Sequence, residues 1–161
     1  MGTAALESTI NDHGARDPFI IRLEDGGFAL IATDLNTRNA AYRGSDGTPQ
    51  WRRMETHGRH DILVWKSPDL THWIGPTTPR LGTADMGNVW APKAVHMPDR
   101  GRYLVTWSST SRSDGFAKQR IYGSWTTDFD KFSPAFPLMD DAHSRIDILL
   151  THDDSTWLMI I

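Results

Sequence analysis

The sequence predicts an all-β fold, an incomplete β-propeller. Short strands recur in sets of four at a period of about 60 residues, which is typical of a propeller blade with long loops. No segment longer than a turn shows the 3.6-residue apolar periodicity of a helix. A β-sandwich would have strands of the same kind. The internal repeat favours the propeller over the sandwich.

A hairpin pattern occurs three times in the chain. Each copy has a key residue, an apolar run, a polar turn, an aromatic residue and a second apolar run, and the key residues are Asp17, Lys93 and Asp147. A residue at the same place in several repeated hairpins points to a common axis. We therefore expect these three side chains to face one shared hollow.

The first unit contains four predicted strands and one long loop. Residues 18–34 form a hairpin around Asp25-Gly26-Gly27, which is a strong turn signal. Residues 36–60 have little periodicity and predict a surface loop, and loops of this length usually carry function or are mobile. Ile62–Trp65 is a third strand, and Ser67–Trp73 turns the chain into a short fourth strand.

The second unit repeats this order. Strands are predicted at Ala94–His96, Arg102–Ser108 and Ile121–Trp125, with a polar loop at Ser109–Gln119. The turn Thr127–Phe132 resembles the first unit's turn, since both have a small residue, an aspartate, an apolar residue, two spacers and an aromatic residue. The repeat therefore extends to details of the turns.

The third unit is the hairpin Ile148–Ile161, and its last strand is apolar. Natural folds avoid an open apolar strand edge. We expect the chain to be part of a longer one, or a second copy or a complementing chain to cover the edge. The predicted blades span about 16–76, 88–136 and, for the start of the third, 144–161, while Leu6–Ile10 is a further candidate strand.

Composition excludes several classes of protein. With 39% hydrophobic residues and seven Trp, the chain is not disordered. A net charge of −3 with scattered basic residues gives no nucleic-acid footprint, and the absence of Cys excludes disulfides and thiolate metal sites. No apolar segment reaches the ~20 residues of a membrane span. Met1–Ala5 is not a secretory signal, so we expect a cytoplasmic protein or a signal encoded elsewhere.

Two aspartates are the candidate catalytic residues. Asp17 precedes a proline, and Asp147 lies between two isoleucines, where a carboxylate is costly to bury without a partner. The alternative for Asp17 is that it ends a strand at a turn. Arg16 and Arg145 each precede one of the acids and either bind substrate or balance its charge.

Two carboxylates in one funnel suit acid–base chemistry on a sugar. Inverting glycosidases place a base and an acid roughly 6.5–9.5 Å apart, so that a water molecule fits between the base and the sugar. Trp90 lies just before the second key position and is a candidate sugar-stacking residue, with core packing as the alternative. No paired-histidine metal motif or phosphate-binding glycine loop is present, so we expect neither a catalytic metal nor another cofactor.

Four motifs in order carry a resemblance to a known family. Ala15–Arg22 followed by Leu30–Leu35 resembles the first blade of glycoside hydrolase family 43. Ile62–Trp73 resembles the strand and turn that close that blade. Gly87–Pro92 and Ser144–Asp147 resemble the signatures of the second and third blades.

The resemblance implies a five-bladed propeller, of which this chain holds about two and a half blades. It implies a glycosidase that hydrolyses α-L-arabinofuranosyl or β-D-xylosyl linkages, with inversion at the anomeric carbon, in oligosaccharides derived from plant polysaccharides. Asp17 would be the general base, and Asp147 would raise the pKa of the general acid and orient it. In the family the acid is a glutamate of the fourth blade, which would follow the end of this sequence.

Lys93 departs from the family pattern, because relatives commonly have Glu or Asp there. A cation at this place would lower the pKa of neighbouring carboxylates, and it could pair with Asp17 or Asp147. We therefore treat Lys93 as a candidate substrate-binding residue. Besides the enzyme, two hypotheses stay open: a non-catalytic carbohydrate-binding fragment, and a structural module that assembles through its open edges.

Overall fold

The computed structural model describes residues 6–153 and 156–161. In this part of the chain, two four-stranded antiparallel sheets are followed by a two-stranded one. The first sheet comprises β1 (Ala15–Arg22), β2 (Phe28–Asp34), β3 (Ile62–Ser67) and β4 (Ile74–Thr77) in that order. The second comprises β5 (Trp90–Met97), β6 (Arg102–Ser109), β7 (Arg120–Thr126) and β8 (Phe136–Met139), and the third β9 (Leu149–Asp153) and β10 (Thr156–Ile160).

The sheets lie beside one another with their first strands in contact. β5 packs against β1 and β2, and β9 packs against β5. The main core fills the space between the first two sheets and includes the buried side chains of Ile31, Val64, Val105, Trp107 and Phe129. Neighbouring antiparallel sheets that meet along their first strands confirm the predicted all-β, incomplete propeller.

Polar contacts join the first two sheets at the ends remote from the β1 bulge. The backbone N–H of Glu24 donates to the Tyr103 hydroxyl at 2.8 Å. The Lys66 ammonium pairs with Asp130 at 2.6 Å. These contacts, together with the core, hold β1 and β5 in a fixed relation.

The two predicted turns have the same local structure. Ser67 Oγ accepts hydrogen bonds from the N–H groups of Asp69 and Leu70, at 3.2 and 2.9 Å. Thr126 Oγ1 accepts the equivalent pair from Asp128 and Phe129, at 3.3 and 2.9 Å. Both apolar residues have positive φ, +66° at Leu70 and +59° at Phe129. The sequence match between the turns therefore reflects a shared backbone path.

Two expectations are corrected by the structure. Leu6–Ile10 is not a strand; Leu6 and Ile10 pack as irregular chain against Trp65 and its neighbours. The predicted loop 36–60 contains a 3₁₀ turn (Ala40–Tyr42) and a short helix, α1 (Trp51–Thr56). Six residues are too few to show a helical period, so the sequence pattern could not reveal α1. Further 3₁₀ turns lie at Pro98–Arg100 and Arg112–Asp114.

The third hairpin is confirmed, with β9 and β10 paired from Leu149–Ile160 to Asp153–Thr156. The side chains of Trp157, Leu158, Met159 and Ile160 are exposed. Covering of this apolar edge by another chain stays a prediction. None of the helices in the described ranges is long and apolar enough to cross a membrane.

A buried acid pair anchors the N-terminal segment to the end of β2. Asp12 and Asp34 are both buried, and the Asp12 N–H donates to Asp34 Oδ1 at 3.3 Å. Arg59 Nε lies 3.6 Å from both carboxylates, too far for a good hydrogen bond. Burial raises the pKa of both carboxyl groups, and burial together with Asp12 raises the pKa of Tyr42 to about 12.

The raised pKa of Asp34 predicts a pH dependence of stability. The contribution of Asp34 to the free energy of unfolding is fully present below the ordinary carboxyl pKa of 3.8. It is lost as the pH rises through the higher pKa that Asp34 has in the folded state. We expect the unfolding free energy of the wild type, minus that of Asp34→Asn, to fall between pH 3.5 and pH 7, measured by urea titration. Asp128→Asn is the control of opposite sign, because backbone N–H groups lower the pKa of Asp128 and its contribution is lost as the pH falls.

An unchanged difference between wild type and Asp34→Asn across this range would show that the Asp34 carboxylate is not destabilised by its surroundings.

Candidate functional site

One backbone feature recurs at the start of the first strand of each sheet. Asp17 in β1, Ala91 in β5 and Asp147 just before β9 all have positive φ, at +50°, +49° and +60°. Such φ values are uncommon for residues other than glycine and are best tolerated by Asp and Asn. The three residues therefore mark an equivalent place in the three sheets.

The strand pairing confirms the equivalence of Asp17 and Ala91. Pairing of β1 with β2 steps from Arg16–Thr33 to Phe19–Ile31. Pairing of β5 with β6 makes the same step, from Trp90–Ser108 to Lys93–Thr106. Each step is a bulge, a device that re-aims side chains and is often found next to active sites.

The register corrects the placement of Lys93. Lys93 is the counterpart of Phe19, and Ala91 occupies the place of Asp17. The Lys93 ammonium lies over the Phe19 ring, 5.7 Å from its centroid. The sequence repeat aligned Lys93 with Asp17 by their distance to the aromatic residue after the turn, but the turn of the second sheet is one residue longer, since Arg22 pairs with Phe28 whereas the equivalent His96 pairs with Tyr103. Lys93 is therefore not the second sheet's counterpart of the acid.

Asp17 is exposed and is held by a residue that the sequence analysis missed. Thr33 Oγ1 donates to Asp17 Oδ2 at 3.0 Å and accepts from the Ala91 N–H at 2.8 Å. Thr33 is 0% exposed, so its hydroxyl has no access to water as an alternative partner. One hydroxyl thus connects the second sheet to the carboxylate of the first. A threonine in a strand carries no sequence signal for this role, because β-branched residues are common there.

The Gly87–Pro92 motif explains how Ala91 reaches Thr33. The buried Asn88 accepts a hydrogen bond from the Thr110 N–H at 3.0 Å and donates to Ser108 O at 3.3 Å. A Cβ at Gly87 would lie 2.1 Å from Glu55 O, so only glycine fits between α1 and the loop after β6. The motif is a structural element that fixes the start of β5.

Trp90 does not have the exposed position expected of a sugar platform. It is 9% exposed and packs with Leu35, Tyr42 and Met54. This is the core-packing alternative, and it arises because the 36–60 segment folds over the indole. Trp51 on α1 meets Trp90 edge to face, with 6.5 Å between centroids, and is 49% exposed. Trp51 is the accessible indole of this region and was not singled out from the sequence.

The two candidate arginines have different surroundings. Arg16 is exposed and lies over the Trp51 ring, 5.7 Å from its centroid. Arg145 forms a two-pronged pair with Asp141, at 2.8 and 3.1 Å, rather than with Asp147. This arginine lowers the pKa of Asp141 to about 2. Arg145 therefore balances a neighbouring acid, whereas Arg16 packs on Trp51.

Asp147 is exposed, and the next residue, Ile148, is fully buried. The Asp147 side chain therefore lies at the surface, while Ile148 anchors the segment just ahead of β9 in the core. Two exposed aspartates, Asp17 and Asp147, thus occupy similar places at the strand starts of the first and third sheets, with Thr33 bonded to Asp17 and Trp51 in contact with the adjacent Arg16.

Three solved structures with a similar fold are carbohydrate-active enzymes. The native arabinanase of Bacillus subtilis shares 21% identity and a TM-score of 0.52, over 88% of this chain and 46% of its own. A β-xylosidase/α-arabinofuranosidase from a compost metagenome, solved with xylotriose, has 15% sequence identity and a TM-score of 0.56, and the match covers 90% of this chain and 41% of that enzyme. The exo-β-1,3-galactanase of Phanerochaete chrysosporium, solved with β-1,3-galactotriose, has 16% sequence identity and a TM-score of 0.55, and the match covers 90% of this chain and 31% of that enzyme.

The chain therefore spans less than half the length of each of these three enzymes. A search of curated proteins gives no significant match. A family model described as a probable glycosyl hydrolase domain, related to glycoside hydrolase family 43, matches residues 1–160. The chain thus belongs to this family of probable glycosyl hydrolase domains related to glycoside hydrolase family 43.

Proposed function

We propose that this chain contributes the general base and a second, acid-modulating carboxylate of an inverting glycoside hydrolase. Its substrates are α-L-arabinofuranosyl or β-D-xylosyl linkages in oligosaccharides. The single observation that carries the proposal is the recurrence of an exposed aspartate at the same positive-φ place, Asp17 and Asp147. Blades at about 16–76, 88–136 and 144–161 are part of the same proposal.

Asp17 is suited to activating water. Thr33 holds Oδ2, and in the described part of the chain Oδ1 accepts no hydrogen bond. A water molecule at Oδ1 would give its proton to the carboxylate while its oxygen forms a bond to the anomeric carbon. The bond from that carbon to the leaving oxygen breaks at the same time, so the configuration inverts.

The leaving oxygen of an ordinary glycoside requires a proton from a general acid. The fourth-blade glutamate that the resemblance implies has no counterpart in the three sheets described above. We therefore expect this chain to bind oligosaccharides but to hydrolyse them only when the acid is supplied. Asp147 would act on that acid by placing a second negative charge near it, which raises its pKa.

A substrate with a good leaving group separates the base from the acid. Dinitrophenolate departs without protonation, so 2,4-dinitrophenyl arabinofuranoside or xyloside tests Asp17 alone. We expect slow turnover of one of these substrates, with inversion detected by proton NMR of the first-formed sugar. Binding of arabino- or xylo-oligosaccharides without any aryl glycoside turnover would instead favour a non-catalytic carbohydrate-binding module.

The assembly hypothesis has one observation in its favour, the exposed apolar side chains of β10. Defined oligomers in sedimentation analysis, with no sugar binding, would support it over both carbohydrate functions.

Thr33→Val tests the link between the sheets. Valine has nearly the same shape but leaves the buried Ala91 N–H without an acceptor, which costs about 1–3 kcal/mol of stability. We expect that loss in urea unfolding, together with a lower kcat on the aryl glycoside and a nearly unchanged KM. Thr33→Ser keeps the hydroxyl and should restore kcat. Equal kcat values for the valine and serine variants would show that Thr33 does not position Asp17.

A further inference from the structure

Helix α1 presents an exposed indole in a cationic setting. Trp51 lies in an open groove of about 530 Å³ together with Gln50, Arg52, Arg53, Thr56 and His57. The ring meets the guanidinium of Arg16, the residue that directly precedes Asp17, at 5.7 Å from its centroid. Glu55 is the sole acid of α1 and lies 4.0 Å from Arg52. The groove therefore has a positive balance.

The helix is fixed to both flanking sheets. Arg52 donates to the carbonyls of Gly115 and Phe116, in the loop after β6. The Gly58 N–H donates to Gly87 O at 2.8 Å, just ahead of β5. Trp51 also contacts Trp90, which begins β5. A groove on a helix held in this way is formed in advance, which lowers the entropy cost of binding a ligand.

The side chains of the groove match an acidic sugar. An exposed indole face stacks on the C–H face of a pyranose ring, and arginines bind carboxylates through paired N–H donors. Arg53 is exposed and lines the groove beside Trp51, and within the described residues it has no carboxylate partner within 4 Å. Arg16, which directly precedes Asp17 in the chain, provides a second guanidinium, which lies over the Trp51 ring.

We propose that Trp51, Arg53 and Arg16 form a second sugar-binding subsite that takes a uronic acid residue of an acidic oligosaccharide. The neutral part of the same oligosaccharide would extend from this subsite towards Asp17. The inference rests on the proposed function, because it places an acidic unit next to the linkage that Asp17 acts on.

Titration calorimetry with two matched ligands tests the subsite. The acidic ligand is a xylo-oligosaccharide with one glucuronic acid branch, and the neutral ligand is the unbranched oligosaccharide of equal length. We expect the wild type to bind the acidic ligand about 5-fold more tightly at low salt, since exposed charge pairs have modest strength. Raising the salt to about 0.5 M should remove most of that preference.

Two variants with matched controls locate the effect. Trp51→Ala should weaken binding of both ligands by about 10-fold, whereas Trp157→Ala removes an exposed indole of the third sheet and should have no effect. Arg53→Gln should abolish the preference for the acidic ligand. Arg22→Gln, at the far end of β1 from Arg16, should leave it unchanged.

Equal affinity for the two ligands, or binding that is insensitive to Trp51→Ala, would overturn the subsite. Neither result would contradict the expected turnover of aryl glycosides, because that turnover depends on Asp17. Conversely, a preference for the acidic ligand without aryl glycoside turnover would support the subsite and contradict the proposed catalysis. Failure of both ligands to bind would contradict the subsite and the carbohydrate function together.

Discussion

Replacing Phe129 with alanine should lower the free energy of unfolding by about 3–5 kcal/mol. Phe129 is 0% exposed and belongs to the core shared by the first two sheets. Its ring lies 5.1 Å from that of Tyr103 and 6.4 Å from that of Phe132, measured between centroids. The cavity left by the ring would lie in a close-packed region, where neighbours collapse only partly. Urea unfolding followed by tryptophan fluorescence measures the loss.

Leu70→Ala is the matched control for Phe129→Ala. Leu70 has the same place in the equivalent turn and the same positive φ, but it is 48% exposed. Its replacement should cost less than about 1 kcal/mol, because surface substitutions usually have small effects. If the two variants lose similar stability, the core between the sheets does not depend on Phe129 in the way described above.

Asp17→Asn should lower kcat on a dinitrophenyl glycoside by about 100- to 10,000-fold, the usual contribution of a general base. An amide cannot take the proton of the attacking water. The variant should fold normally, because asparagine tolerates positive φ and its carbonyl oxygen can still accept from Thr33. Steady-state kinetics and a thermal melt measured on the same preparation check both expectations.

Added azide provides a further test of the base, on variants that remove the Asp17 side chain. A small anion needs no base, so it should restore sugar release from an Asp17→Ala or Asp17→Gly protein by attacking the anomeric carbon in place of water. Asp25→Asn, in the β1–β2 turn at the opposite end of the strand, should leave kcat unchanged. Full activity of Asp17→Asn would remove Asp17 from the mechanism.

The repeat of hairpins and turns could be predicted because it depends on local chemistry. Asp25-Gly26-Gly27 forms its turn as expected, with Asp25 Oδ1 accepting from the Gly27 N–H at 2.9 Å. Asp69 and Asp128 likewise accept hydrogen bonds from N–H groups two and three residues further along the chain. Signals of this kind involve neighbours in sequence, so a single sequence contains them. The strands between the turns follow from their apolar runs.

The rest of the site depends on contacts between distant parts of the chain. Thr33 accepts a hydrogen bond from Ala91, 58 positions away in sequence. No local sequence pattern near either residue predicts this contact. The same holds for Trp51, whose neighbours Arg16 and Trp90 come from two different sheets. The longer turn between β5 and β6, which obscures that Lys93 is the counterpart of Phe19, is equally hard to recognise, because the apolar runs on either side do not show where the strand pairing begins.

The left-handed backbone at the three strand starts has a consequence for how such a site arises. The conformation itself favours aspartate, which means that folding and chemistry select the same residue at Asp17 and Asp147. At Ala91 the backbone bears the strain while the side chain offers no chemical group. The second sheet instead contributes its amide hydrogen, through Thr33, to the acid of its neighbour. The Asp17 carboxylate and the amide group that supports it thus come from different repeats. A single isolated repeat would therefore lack part of this arrangement.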